Sequence, residues 1–161
     1  MPTATHSLTI LERPARIWAY LMDETLLGRF STYKSVIRSA IMTSRRVSGE
    51  GKDARFGLFH EDVKVQEFAV DVFDPPHCYA MSSVWSQGPA MTPKSSVTFT
   101  ITPVSDFETK VDISMDMNFP IFPLGWILNL LPLQRGLDGI LLRIAQDMPA
   151  ALSQPQPPRQ I

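Results

Sequence analysis

Tyr33, Glu67 and Arg55 are the residue types in this chain that suit acid–base work inside an apolar pocket. A carboxylate withdrawn from water has a raised pKa and can act as base or acid near neutrality. Glu67 interrupts a face made by Val63, Val65 and Ala69, so it lies in a pocket if that face points inward. If the face of Phe68, Val70 and Val72 points inward instead, Glu67 is solvated. Arg55 can orient a carbonyl or enolate oxygen and stabilise negative charge developing there, or it can sit in an exposed cross-strand pair. Tyr33 can donate a proton, hold a ligand oxygen, or turn its hydroxyl to water.

Other chemistries lack their residues. There is no Gly-x-Ser-x-Gly elbow, no phosphate-cradling glycine-rich loop and no Gly-x-Gly-x-x-Gly before a helix. His6, His60 and His77 have no Cys or His at metal-ligand spacing. His60-Glu61-Asp62 is polar, but consecutive strand residues point to opposite faces, so it reads as a strand end or turn. Cys78 reads as a small buried apolar residue. Neither a metal nor a cofactor is expected.

The 161 residues suit one domain, with a formal charge of −1. The basic residues cluster no further than Arg45-Arg46, which argues against nucleic acid. One cysteine allows no intrachain disulfide and fits a reducing compartment, here the cytoplasm. Residues Met1 to Ser7 show no secretory signal. The most apolar segment, Phe119 to Leu133, is broken by Pro120, Pro123 and Pro132 and is too short to span a bilayer. The expected organisation is one ligand-binding domain over residues 1–152, followed by a flexible Pro/Gln-rich tail over 153–161, in a monomer or homodimer.

Patterning then says which elements must position these groups. Leu133 to Met148 predicts a long amphipathic helix. Leu137, Ile140, Leu141, Ile144, Ala145 and Met148 form its apolar stripe, and Pro149 ends or kinks it. Ahead of it, His6–Leu11 predicts a first strand, and Pro14 starts a helix through Met22. Asp23 caps a second helix over Glu24–Phe30. Six further strands are predicted: Tyr33–Arg46, Ala54–His60, Val63–Phe73, Cys78–Trp85, Val97–Thr102 and Lys110–Phe119. Gly49-Glu50-Gly51, Asp74-Pro75-Pro76 and Gln87–Pro93 separate them, and Gly125–Leu131 adds a helical piece. Short turns between successive strands indicate an antiparallel meander, curved around the long helix.

This order resembles the helix-grip fold of the START, birch-pollen-allergen and polyketide-cyclase superfamily, SRPBCC, over residues 6–152. Arg13-Pro14-Ala15-Arg16-Ile17-Trp18-Ala19-Tyr20-Leu21-Met22-Asp23 is similar to the family's Pro-x-x-x-Val-Trp-x-x-Leu-x-Asp opening. Gly49-x-Gly51-x-x-x-Arg55-Phe56 is similar to its Gly-x-x-x-Arg turn and strand, and Asp74-Pro75-Pro76 to its acidic-Pro-Pro turn. Phe30-Ser31-Thr32-Tyr33 resembles a Phe-Ser-x-Tyr segment of bacterial aromatase/cyclases, which implies that Ser31 and Tyr33 face a pocket. Two positions depart from those enzymes. Their upstream tryptophan falls near Leu26, and their arginine-bearing strand reads Val63 to Asp71 without arginine.

The resemblance implies an α+β fold with a curved antiparallel sheet of seven strands, two short helices after the first strand, and a hydrophobic ligand between sheet and C-terminal helix. Candidate wall residues are Ser31, Trp18, Trp85, Phe99, Met115, Trp126, Leu137, Leu141 and Ile144. The expected function is binding of a polyketide-like or polycyclic molecule and promotion of its cyclisation, dehydration or a related proton transfer, with Tyr33, Glu67 and Arg55 catalytic. A non-enzymatic carrier or sensor of an apolar metabolite is the alternative, and a protein-interaction module a further one.

Overall fold

Pro14 starts the first helix because its ring pre-sets φ and its missing N–H falls where no intrahelical acceptor exists. That helix, α1 (Pro14–Leu21), follows strand β1 (Thr3–Ile10) directly. The structure is a computed structural model and describes residues 3–30, 42–86, 94–118 and 132–154. After α1, Asp23 Oδ1 accepts the backbone N–H and the hydroxyl of Thr25 at 2.9 and 2.7 Å. This opens the short helix α2 (Leu26–Phe30). Six more strands follow: β2 (Met42–Ser48), β3 (Arg55–His60), β4 (Val63–Asp74), β5 (Cys78–Ser86), β6 (Lys94–Ser105) and β7 (Glu108–Asn118). The chain then forms α3 (Pro132–Ser153). The earlier part of the predicted second strand, the 87–93 loop, the 125–131 helical piece and tail residues 155–161 lie outside the described residues.

All neighbouring strands are antiparallel, in the order β1-β7-β6-β5-β4-β3-β2. The first strand closes beside the last, with Thr3 opposite Asp116 and Ile10 opposite Thr109. Gly49 and Gly51 both take positive φ, 67° and 56°, and a Cβ on Gly49 would lie 2.0 Å from the Asp53 carbonyl oxygen. Glu61 and Asp62 form a two-residue turn between paired His60 and Val63, both with positive φ, so the polar triplet is a hairpin turn. Register shifts interrupt the β3–β4 and β4–β5 ladders, and such bulges bend and twist strands.

The helix and the inner sheet face bury each other. Leu137, Ile140, Leu141, Ile144 and Met148 are buried on α3, as are Val97, Phe99, Ile101, Val111, Ile113, Met115 and Met117 on β6 and β7. Of the two expectations for Pro149, an end or a kink, the end does not occur: the helix runs on to Ser153. The stripe continues one turn to Leu152, which is buried, and the Arg16 guanidinium donates to the Leu152 carbonyl at 2.9 Å. Those two anchors hold the last turn although Pro149 offers no N–H to the carbonyl four residues earlier. No helix among the described residues is long and apolar enough to cross a membrane.

Helix α2 is docked on β2 at backbone contact. The Ser44 hydroxyl accepts the Gly28 N–H at 2.9 Å and donates to the Glu24 carbonyl at 2.6 Å. A Cβ on Gly28 would meet the Ser44 nitrogen at 2.9 Å and the Met42 carbonyl oxygen at 3.0 Å.

Two stability measurements test these contacts by chemical denaturation. Gly28→Ala gains up to about 1 kcal/mol of helix propensity. It should nevertheless destabilise by about 1–3 kcal/mol, because backbone cannot yield as a flexible side chain does. A more stable variant would mean that α2 is not seated this closely. Pro149→Ala should stabilise by about 1–3 kcal/mol by restoring a helical hydrogen bond at an exposed position. A neutral result would mean that the helix does not run through residue 149.

Candidate functional site

Between the inner face of β3–β7, the end of α1, α2 and α3 lies a cavity in which about 70 Å³ is open to the centre of a water-sized sphere. That is several times what one water requires. The strands contribute mostly alternate residues, and β6 adds Ser95 and Ser96. Phe56 and Leu58 come from β3, Gln66 and Phe68 from β4, Tyr79 and Met81 from β5, Val97 and Phe99 from β6, and Met115 from β7. Leu26, Leu27 and Phe30 of α2 and Ile144 of α3 close it. The ladders run these residues into rows: Tyr79 opposite Phe99, Met81 opposite Val97, and Val97 opposite Met115. The β4–β5 ladder extends from Gln66 opposite Ser86 to Asp74 opposite Cys78, so Gln66 and Tyr79 stand toward its opposite ends.

The wall is mostly apolar, and its polar members differ in kind. Gln66 is 2% exposed. Tyr79 is also fully buried, and burial raises its phenol above the ordinary tyrosine value, so it stays protonated. Behind it, Trp18 packs edge-on against Tyr79 and Phe73, with ring centroids 5.9 and 5.3 Å apart, and holds the ring in place. Asp23 and Glu24 line the solvent side. Glu24 pairs with Arg46 at 3.2 Å, and Asp23 with Arg29 at 3.2 Å. Burial alone would raise Asp23, but the two bonds from Thr25 and the charge of Arg29 outweigh it and hold the carboxyl below its usual value. Arg29 also reaches Asp147 of α3 at 3.5 Å, and the Tyr20 hydroxyl donates to the same carboxylate at 2.6 Å. Burial, then that bond, raises the Tyr20 phenol.

The sequence-predicted residues fall into separate places. Phe99, Met115 and Ile144 line the cavity. Leu137 and Leu141 are buried in the helix stripe and are not among the residues that line it. Trp18 is a buttress behind Tyr79. Trp85 lies on β5 opposite Glu67, with its side chain outside the description. Ser31, Tyr33 and Trp126 lie outside the described residues.

Glu67 and Arg55, expected as pocket groups, meet each other on the opposite face. Arg55 donates to Glu67 Oε1 at 3.0 Å and Lys64 to Oε2 at 2.6 Å. The bond from Lys64, then that from Arg55, holds the Glu67 carboxyl below its usual value. Strand alternation is the reason: Gln66 and Phe68 point inward, so Glu67 points away. Past the bulge at Asp71 the parity changes, so Phe73 rather than Val72 joins the inner aromatic cluster, and Val72 is exposed.

Sequence reasoning did not single out Gln66, Tyr79 or the α2 residues Leu26, Leu27 and Phe30 as wall residues, and weighed Phe68 only within the alternative inward face of β4. The signal for Gln66 was a polar side chain in register with Phe68 and Val70, two and four residues on. Among the described residues no group of three His, Cys, Asp or Glu side chains is placed to hold a metal ion.

No known family model matches the sequence, and no curated protein matches it. Solved structures do match in fold. A structural-genomics protein from Mesorhizobium loti is 16% identical, with a TM-score of 0.64 over 96% of this chain and 99% of that one. A START superfamily protein from Mycobacterium smegmatis is 12% identical, with a TM-score of 0.63 over 94% and 97%. Norcoclaurine synthase from Thalictrum flavum, solved with dopamine and hydroxybenzaldehyde, is 10% identical, with a TM-score of 0.58 over 96% and 88%. Similarity this distant speaks to architecture rather than activity. With its seven-stranded antiparallel sheet, paired short helices and long C-terminal helix, the chain has a START-like helix-grip fold.

Proposed function

We propose that this chain binds a hydrophobic small molecule in the cavity between the sheet and α3. The observation behind this reading is the cavity itself. Its described wall is dominated by Phe, Met, Leu, Ile and Val side chains, and it is built jointly by the sheet and the helices. Concave, mostly apolar sites with few polar groups are the usual form of small-molecule sites. Met81 and Met115 make part of that wall adaptable in shape. The fold likeness to a synthase solved with aromatic molecules is in keeping with this reading.

Cyclisation or dehydration would need a group in the wall that moves a proton. Among the described wall residues, the side chains with an acidic proton to give are Asp23, Glu24 and Tyr79. Both carboxylates are ion-paired, and the phenol is held protonated, so Tyr79 suits donation of a hydrogen bond to a ligand oxygen. This set favours holding and folding a flexible molecule over acid–base catalysis. A carrier, or an enzyme that works by positioning, fits it best.

Binding is tested with N-phenyl-1-naphthylamine, a neutral apolar fluorophore, titrated into the full chain. The expected result is saturable binding near one equivalent. Val97→Phe places bulk in the wall and should weaken it at least about tenfold, with the fold intact by circular dichroism. No saturable binding by the folded protein, or undiminished binding by Val97→Phe, would refute the site.

Glu67→Gln separates the outer ion pairs from the cavity. A carboxyl depressed in the folded state stabilises above its unfolded value of about 4.3, and that contribution fades as pH falls. The variant should therefore melt below the wild type at pH 7, and the two should converge as pH falls from the unfolded value through the lowered folded-state value. Fluorophore binding should not change. Lost binding at full stability would return Glu67 to the site.

A further inference from the structure

Among the described residues the buried polar side chains, tyrosines aside, are Ser44, Thr109 and Gln66. The Ser44 hydroxyl bonds Gly28 and Glu24, and the Thr109 hydroxyl donates to the Glu12 carbonyl at 2.7 Å. Gln66 alone of the three makes no side-chain hydrogen bond among the described residues, and it lines the cavity. Buried polar groups in folded proteins almost always have a partner, and an unpaired one is costly. The partner for this amide therefore belongs in the cavity.

The surrounding charge narrows what that partner is. The described wall contains no Lys, Arg or His, and its charged members, Asp23 and Glu24, are both acidic. An anion placed there would lose its hydration without gaining a cation. An amide offers both a donor and an acceptor, which suits a hydroxyl and also suits a carbonyl.

We propose that the cavity takes a neutral apolar molecule bearing a hydroxyl or carbonyl group, that the Gln66 amide holds that oxygen, and that the carboxylate counterpart is excluded. This rests on the hydrophobic-ligand reading above and names its ligand class. Gln66 is then a residue that distinguishes an oxygenated ligand from a bare hydrocarbon, toward the opposite end of the β4–β5 ladder from Tyr79. The phenylalanine and methionine wall supplies affinity that is indifferent to that oxygen.

Isothermal titration of the full chain at pH 7 with naphthalene, 2-naphthol and 2-naphthoate tests this. The wild type should bind 2-naphthol about three- to tenfold more tightly than naphthalene, the contribution of one neutral hydrogen bond. It should bind 2-naphthoate at least about tenfold more weakly than 2-naphthol. Gln66→Leu should keep naphthalene, lose the preference for 2-naphthol, and melt higher, because a similar volume no longer leaves a polar group unpaired. A merely structural glutamine would instead melt lower on substitution and leave the preference intact.

Equal binding of the alcohol and the carboxylate overturns the proposal, as does a preference that survives Gln66→Leu. Should Gln66→Leu not fold, the amide has a structural partner and its role in the proposal fails. The wild-type ranking of the three probes still decides the ligand class on its own. Failure of all three probes, naphthalene included, strikes the hydrophobic-ligand reading itself and takes this one with it.

Discussion

A 22-residue helix with one apolar face must bury that face, and the inner surface of the sheet is where α3 does so. Each large stripe residue taken out of water stabilises by about 1.5–3 kcal/mol before entropic costs. Once that contact is made, the direction of every strand residue follows. Val97 and Met115 face the helix, Met81 is opposite Val97, and Val70 is opposite Met81, so the inward parity passes from strand to strand through the ladders. On β4 it selects Gln66 and Phe68. Glu67 is left to the outer face, where Arg55 and Lys64 meet it. A one-residue change of register on β4 would exchange a neutral amide for a carboxylate in the cavity.

The helix stripe does not by itself close the cavity, which depends on α2. That helix has only five residues and cannot hold its place by its own propensity. It is fixed from two sides. Gly28 and Ser44 bring it to backbone contact with β2, and Arg29 ties it to Asp147 of α3, the residue that also accepts the Tyr20 hydroxyl. Leu26, Leu27 and Phe30 enter the wall because of these contacts. A small residue is needed at position 28, since a side chain there would lift α2 away from β2.

The parts of this architecture legible in the sequence are those where one pattern had no competitor. The β6 and β7 alternations place polar residues strictly between apolar ones, and the α3 stripe recurs at helical spacing over several turns. Their elements and inward faces could therefore be assigned directly. On β4 both parities are apolar, with Val63, Val65 and Ala69 against Phe68, Val70 and Val72, so alternation alone left the inner face open. Long-range pairing to β5 decided it, and the bulge at Asp71 then exchanged Val72 for Phe73, which no local pattern encodes. Pro149 misled for a similar reason. Its local effect is to break a helix, and what outweighs it is a guanidinium from α1, distant in sequence. Trp18 read as a pocket wall because its size and apolarity suit both roles, and only the position of Tyr79 in front of it separates them.

The polar content of the buried interior shows where structure ends and function begins. Ser44 and Thr109 are placed where backbone groups would otherwise be unsatisfied, and each removes a cost from the fold. Gln66 adds one. A leucine at that position would pack among Leu58 and Phe68 with nothing left unpaired, so stability alone gives no reason for an amide there. Neither is it a proton carrier, since an amide does not titrate at physiological pH. What an amide in an apolar wall does well is recognise: it holds one oxygen in one orientation and leaves the rest of a molecule to be sorted by shape. Sites built around a hydrogen-bonding group reject ligands that lack its counterpart more strongly than apolar walls reject a misfit of one methylene. In a cavity whose wall is mostly adaptable methionines, phenylalanines and aliphatic side chains, a buried amide is a feature that can make selection sharp.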